Sequence, residues 1–197
     1  MDPSTRFHRP DLRPAERRDA GAIAAIYAPI VRDTFISFET EPPTVEVMAD
    51  RIETIQRRYP WLVATVEDEV IAYAYASDHR QRAAFRWSVE VTFYVAEIAR
   101  GKGVGRRLYG SLVPMLRAQG FRSAFAGIAS PNQASVNLHE AVGIQALGVY
   151  KEVGFKHGAW RDVGWWRLGL TSNDTPPTEP ITFHHLREAS GFGDFLA

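Results

Sequence analysis

Glu90 is the one acid in the strand-like run Trp87 to Val95, and a carboxylate there can take a proton from an incoming ammonium, directly or through one or two waters. Strand alternation sends Trp87, Val89, Val91, Phe93 and Val95 to one face and Ser88, Glu90, Thr92 and Tyr94 to the other. The bland reading is a solvated glutamate on an open sheet face. The adjoining chain argues against it: the run leads into Arg100-Gly101-Lys102-Gly103-Val104-Gly105, where three glycines in five residues turn a strand into a helix. With no Cβ there, backbone N–H groups can converge on an anion. Spacing excludes the commoner phosphate loops, because G-x-G-x-x-G read from Gly101 ends on Arg106 and no G-x-x-x-x-G-K-S/T occurs. A glycine turn without a ligand is the plain alternative. If the strand bulges near Tyr94 or Val95, a backbone N–H there supplies the donor that a tetrahedral oxyanion needs.

A second polar group comes after Pro131, where Asn132, Ser135 and His139 fall at i, i+3 and i+7 on one helical stripe. Asn132 suits an N-cap. His139 is either a satisfied structural histidine or, with a pKa near neutrality, a proton donor to a departing thiolate. The basic stretch Ser77 to Arg86 holds His79, Arg80 and Arg82. Guanidinium groups pair well with carboxylate or phosphinate oxygens, so Arg80 and Arg82 are either substrate contacts or solvated loop charges. The connector Asp33 to Pro43 carries Phe35 and Phe38, is too irregular for a helix and too apolar for an idle loop, and is expected to line something. His184 and His185 are adjacent and lack the spacing of a ligand set, so no metal is expected.

These residues must be positioned by regular elements. Asp11 to Ala15 reads as a short edge strand, Asp19 as the cap of a helix through Ile23, Ile26, Tyr27 and Ile30 that Pro29 should kink or end, and Thr44 as the cap of a second helix through Met48, Ile52 and Ile55. Trp61 to Glu67 and Val70 to Ala76 form a hairpin around Asp68-Glu69. After the long strand, Val104 to Gln119 is an amphipathic helix with Leu108, Leu112, Met115 and Leu116 on one stripe and a local irregularity expected at Pro114. A strand Phe121 to Ile128, a short helix Asn132 to Val142, and strands Leu147 to Phe155 and Trp160 to Leu170 complete the order β-α-α-β-β-β-α-β-α-β-β. That order predicts an α+β fold, one mixed and mostly antiparallel sheet flanked by helices. Residues 1–11 read as a polar lead, 12–170 as the domain, and 171–197 as a C-terminal extension, polar and without strong period, expected to be flexible.

Composition narrows the function. The 197 residues are 45% hydrophobic, enough for one real core. Lys plus Arg and Asp plus Glu are 23 each, so no overall field recruits nucleic acid or a membrane surface. There is no cysteine, which removes disulfides, thiolate metal sites and cysteine nucleophiles. With no apolar leader and no run long enough to span a bilayer, the expected location is cytoplasmic.

Taken together, Arg100 to Gly105, Val89-Glu90 with Tyr94-Val95, Thr34 to Pro42, Tyr59-Pro60-Trp61-Leu62-Val63-Ala64, Ala118-Gln119-Gly120-Phe121, Asn132 with Ser135, Leu138-His139-Glu140 and Gly154-Phe155-Lys156-His157-Gly158 resemble the phosphinothricin N-acetyltransferases of the GNAT superfamily. The likeness covers roughly Leu12 to Leu170. It implies the GNAT fold, acetyl-CoA as donor and no metal. It puts Glu90 at the position of the base and His139 at that of the acid. The donor would be held by Tyr94, Val95, Arg100, Gly101, Lys102, Gly103, Val104, Gly105, Arg106, Asn132 and Ser135. The acceptor would be a small amino-acid-like amine near Phe35, Phe38, Arg80 and Arg82, close to the interface of a homodimer. Three departures stand out: many GNAT members have tyrosine where His139 stands, close relatives often have tryptophan where His79 stands, and Ile144 replaces a usual aromatic. Two other readings compete, a peptide or protein amine acetyltransferase with an open groove, and a non-catalytic acyl-CoA-binding module that would keep the glycine turn without needing Glu90.

Overall fold

A computed structural model describes residues 8–171 and 176–197; the greater part of the expected polar lead, residues 1–7, and residues 172–175 of the expected extension lie outside the described residues. The elements are β1 (Asp11–Pro14), α1 (Ala20–Asp33), α2 (Val45–Gln56), β2 (Trp61–Val66), β3 (Glu69–Asp78), β4 (Ser88–Val95), α3 (Val104–Ala118), β5 (Ser123–Ser130), α4 (Gln133–Ala141), β6 (Gln145–Lys156), β7 (Ala159–Gly169) and α5 (Phe183–Glu188). The strands form one seven-stranded sheet in the order β1-β2-β3-β4-β5-β7-β6. Every neighbouring pair is antiparallel except β4 with β5. The α+β architecture and the order of elements agree with the sequence through β7.

Alternation divides the sheet into two faces. Trp61, Val63 and Tyr73 turn toward α1 and α2, which bury Ile23, Val31, Met48 and Ile52 against them. On the other face α3 lays Leu108, Leu112, Met115 and Leu116 over Leu62, Ala64, Ala72, Ala74 and Val89. The alanines let the helix approach closely, so this layer is held by area and packing. Thr44 caps α2 through a bond from the Val47 N–H. Asp19 stands at the start of α1 but makes no cap bond to it; its carboxylate takes both guanidinium nitrogens of Arg13 at 2.7 Å and the Glu16 N–H. Pro29 does not end α1, which runs on to Asp33, and α3 likewise continues through Pro114 to Ala118.

The described part of the C-terminal segment is not a loose appendage. Phe183 is fully buried and Leu186 nearly so, both in the core beneath α3. The Ile181 N–H bonds to Gln119 O and the Phe183 N–H to Arg58 O, while the Gln119 amide donates back to Arg58 O and Ile181 O. The signal was two apolar residues three apart in a six-residue helix capped by Thr182, too brief to register as a period.

A buried lysine ties the connector between α1 and α2 to the far end of the sheet. Lys156 at the end of β6 donates to the carbonyls of Val31, Ser37 and Glu39 at 2.6, 2.7 and 2.7 Å. Burial lowers its pKa. The same connector is braced by Tyr27 Oη to Ser37 Oγ at 2.6 Å and by Arg51 to Glu39 at 2.8 Å. Lys156→Met keeps the apolar stem and leaves three carbonyls unpaired, so urea unfolding should show a loss of about 2 kcal/mol.

Candidate active site

The site begins where two strands part. β4 pairs with β5 only through Ser88, Glu90 and the residue between them, set against Ser123 to Phe125. Beyond that β4 stays with β3 while β5 stays with β7, so a wedge opens in the sheet. At the end of the β3–β4 ladder the Ala96 N–H donates to Ile71 O. Antiparallel alternation therefore turns the N–H groups of Thr92 and Tyr94 toward β3, and those of Phe93 and Val95 toward the wedge, where no strand answers them. β4 does not bulge there: β3 and β4 pair without a register shift from Ala72–Val95 to Asp78–Val89. Divergence of strands, not a bulge, frees the backbone donors, and Val95 rather than Tyr94 presents one.

A cavity of about 90 Å³ fills the wedge, lined by Ile36, Val91 to Tyr94, Gly127 to Ala129, Asn132, Ser135 and His139. Phe93 and His139 belong to the α3–α4 side, Thr92, Tyr94 and Ile36 to the α1–α2 side, so the gap passes through the sheet. A larger cavity of about 870 Å³ lies between α1 and Arg100 and touches neither Glu90 nor His139. Size does not locate the chemistry.

At the wide end of the wedge stands the glycine turn. Gly101 and Gly103 take φ of +72° and +78°, which glycine alone adopts at little cost, and nothing crowds the space their missing Cβ atoms leave. The first bond of α3 runs from the Arg107 N–H to Gly103 O at 3.1 Å, leaving the amides of Val104, Gly105 and Arg106 without partners inside the helix. Open amides at a helix N-terminus suit a phosphate. Gly105 serves a second purpose: a Cβ there would lie 2.7 Å from Leu138 Cδ2, so its bareness lets α4 sit against α3. Arg100 reaches back to Val95 O at 3.3 Å, and Lys102 and Arg106 are exposed beside the turn.

At the narrow end Glu90, the last residue of β4 paired with β5, is held by His79 and Arg80. Its Oε1 lies 3.0 Å from His79 Nδ1 and 3.2 Å from Arg80 Nη1. Burial raises the Glu90 pKa, with Arg80 opposing. The His79 ring stacks on Phe125 at 4.2 Å between centroids, and the Arg80 guanidinium sits 5.5 Å from the Trp165 ring. Arg82 is exposed and borders a loop cavity of about 700 Å³ with His79 and Arg80. Phe35 lies under Arg161 at 4.2 Å, and Phe38 packs against the bare Cα of Gly154. Neither phenylalanine lines the wedge; Ile36 between them does. Two donors escape a reading of the sequence, Arg161 Nε and Trp165 Nε1, which are buried on β7 and have no hydrogen-bond partner among the described residues. A buried unpaired donor is costly unless a ligand answers it.

His139 is buried, with its Nδ1–H donating to Ser135 O at 2.7 Å and its ring edge-on to Phe93 and Tyr109. Burial lowers its pKa, only partly countered by that bond. It is a neutral imidazole at pH 7, its Nε2 an acceptor. The Asn132 side chain is spent on the Ser135 N–H at 3.2 Å, as its cap position predicts. Among the described residues no cluster of His, Cys, Asp and Glu fits a metal, and no helix is long and apolar enough to cross a membrane.

The model of the acetyltransferase (GNAT) domain matches residues 12–165. The chain belongs to this family. Among curated relatives it is 41% identical to a phosphinothricin N-acetyltransferase of Streptomyces viridochromogenes, over 87% of this chain and 94% of the relative. It is 35% identical to an L-methionine sulfoximine/L-methionine sulfone acetyltransferase of Pseudomonas aeruginosa, over 84% and 98%. Among solved structures, a GNAT superfamily phosphinothricin acetyltransferase from Sinorhizobium meliloti in complex with AcCoA superposes with a TM-score of 0.82 at 36% identity, covering 89% of this chain and 99% of that one.

Proposed function

We propose that this acetyl-CoA-dependent N-acetyltransferase acts on the α-amine of a small amino-acid-like acceptor of the phosphinothricin, methionine sulfoximine or methionine sulfone type. The observation that carries the reading is the surroundings of Glu90. A half-buried carboxylate stands at the point where the sheet opens, flanked by the Arg80 guanidinium, and the Trp165 ring, whose buried Nε1 has no partner among the described residues, lies beside His79 and Arg80. An ammonium suits the carboxylate, and the oxygens of an anionic head suit the Arg80 cation and the Trp165 N–H.

The donor supplies an activated acetyl thioester. The glycine turn fits its pyrophosphate, through the amides of Gly103, Val104, Gly105 and Arg106. The wedge offers the N–H groups of Phe93 and Val95 to the acyl-carrying arm, and Val95 is the candidate oxyanion donor. Glu90 is the base of the site. The neutral His139 is not the acid of this scheme, since its one ring proton is committed to Ser135 O; the departing thiolate takes a proton from the reacting nitrogen or solvent.

Glu90→Gln should cut turnover at pH 7 by about a hundredfold while acetyl-CoA affinity by calorimetry stays near normal. The working form is the carboxylate and burial lifts its pKa, so kcat/KM should be full at neutral pH and fall on the acid side through a limb above 4.5. Arg80→Ala should raise KM for methionine sulfone several-fold with that for acetyl-CoA unchanged. A faster reaction with a peptide amine than with methionine sulfone would end the small-acceptor assignment.

The same chain also offers a surface for a second copy. β6 is an edge strand, and Leu147, Val149, Tyr150, Val153, Phe155 and Trp160 on β6 and β7 are each more than half exposed. Contiguous apolar area of this kind marks an interface, and a homodimer through β6 would cover it. Sedimentation velocity should give a dimer for the wild type and a monomer for Val149→Lys; a wild-type monomer at tens of micromolar would remove the proposal.

A further inference from the structure

We propose that His79 takes the proton from the acceptor's ammonium through Nε2 while Glu90 holds its Nδ1–H, so that the base is an imidazole–carboxylate pair. This rests on the proposed role of Glu90 as base and assigns the step to a neighbouring ring.

Geometry carries it. Glu90 Oε1 is 3.0 Å from His79 Nδ1, and an ionised carboxylate there accepts the Nδ1–H, which leaves the lone pair on Nε2. Among the described residues Nε2 has no partner. The ring cannot readily turn, because it lies flat on Phe125, 14° from parallel, with its edge toward Trp165 at 5.8 Å and Phe85 at 6.2 Å. Its side chain is 14% exposed, and it borders the loop cavity, so one edge meets whatever enters there. Meanwhile Oε1 already receives both His79 and Arg80, which draws on the carboxylate's own basicity and suits it to orienting a partner.

The charges around the ring are few. Glu90 faces it from β4 and Arg80 from its own loop; Asp78 is bonded to Tyr59 Oη, Arg82 is exposed at the cavity rim, and Phe125, Trp165 and Phe85 bring none. Burial, with Arg80 second, lowers the His79 pKa and favours the neutral ring that can accept a proton, while the ionised Glu90 on Nδ1 works in the opposite direction and favours the imidazolium once formed.

The protons balance. One ammonium proton passes to Nε2, and Glu90 offsets the imidazolium charge. The freed nitrogen pair forms the C–N bond as the C–S pair leaves on sulfur, which takes a second proton from that nitrogen. The imidazolium returns its proton to solvent, so one proton is released per acetyl group moved.

Two variants test this with methionine sulfone as acceptor. His79→Phe keeps the stack on Phe125, and His79→Asn keeps a donor to Glu90 at the Nδ1 position without a titratable ring. Both should lower kcat/KM by about tenfold to a hundredfold with KM for acetyl-CoA unchanged, and move the acid limb down toward that of a carboxylate. In the free enzyme, nitrogen NMR should show Nδ1 protonated and Nε2 bare. Wild-type kcat/KM and pH profile in His79→Asn, or a ring protonated at Nε2, would overturn the proposal. If Glu90→Gln is inactive while His79→Asn is normal, Glu90 works alone and only this inference falls. If the wild type moves no acetyl group to any small amine, the underlying reading fails and takes this one with it.

Discussion

The parallel contact between β4 and β5, three residue pairs long, is the constraint on which the rest depends. A longer contact would close the sheet and satisfy the amides of Phe93 and Val95. A shorter one would detach Glu90 from Phe125, the ring on which His79 rests. Its length sets both the wide end of the wedge, beside the α3 N-terminus, and the narrow end, at the acid. The gap is tolerated because β4 keeps all its bonds to β3 and β5 all its bonds to β7, so the cost is confined to one edge of each strand.

The two faces then divide the work. On one, Gly101 and Gly103 leave α3 with open amides, and Gly105 lets α4 close over the wedge. On the other, the connector between α1 and α2 brings Ile36 to the cavity, where Lys156 and Glu39 hold it by charge-assisted bonds. Charges are thus spent on fixing backbone in place, and the one carboxylate at the opening is left with partners from a single loop.

Much of this is legible in the sequence, for physical reasons that also mark where legibility stops. Period-2 alternation assigns Glu90 and Val91 to opposite faces, and the glycine spacing locates the turn, because both signals are local. The parting of β4 and β5 is a pairing between residues some 35 apart, and no local pattern announces where a ladder stops. Hence the sequence leaves a free N–H near Tyr94 or Val95 conditional on a bulge, where the strands in fact diverge. Lys156 carries no local sign of burial, since its three carbonyl partners lie 117 to 125 residues away. Phe35 and Phe38 do mark a connector too apolar for an idle loop, but it is Ile36, one of the two residues between them, that lines the gap. His79 registers as one member of a basic stretch and as a departure from relatives; its meaning needs the 3.0 Å distance to Glu90.

Amide hydrogen exchange tests the central claim, that the opened edge of β4 receives the donor. With saturating acetyl-CoA, the amides of Phe93 and Val95 should gain protection of about tenfold or more, while those of Thr92 and Tyr94, already bonded to β3, should not change. Equal rates for Phe93 and Val95 with and without acetyl-CoA, at a concentration shown by calorimetry to saturate the protein, would contradict the account.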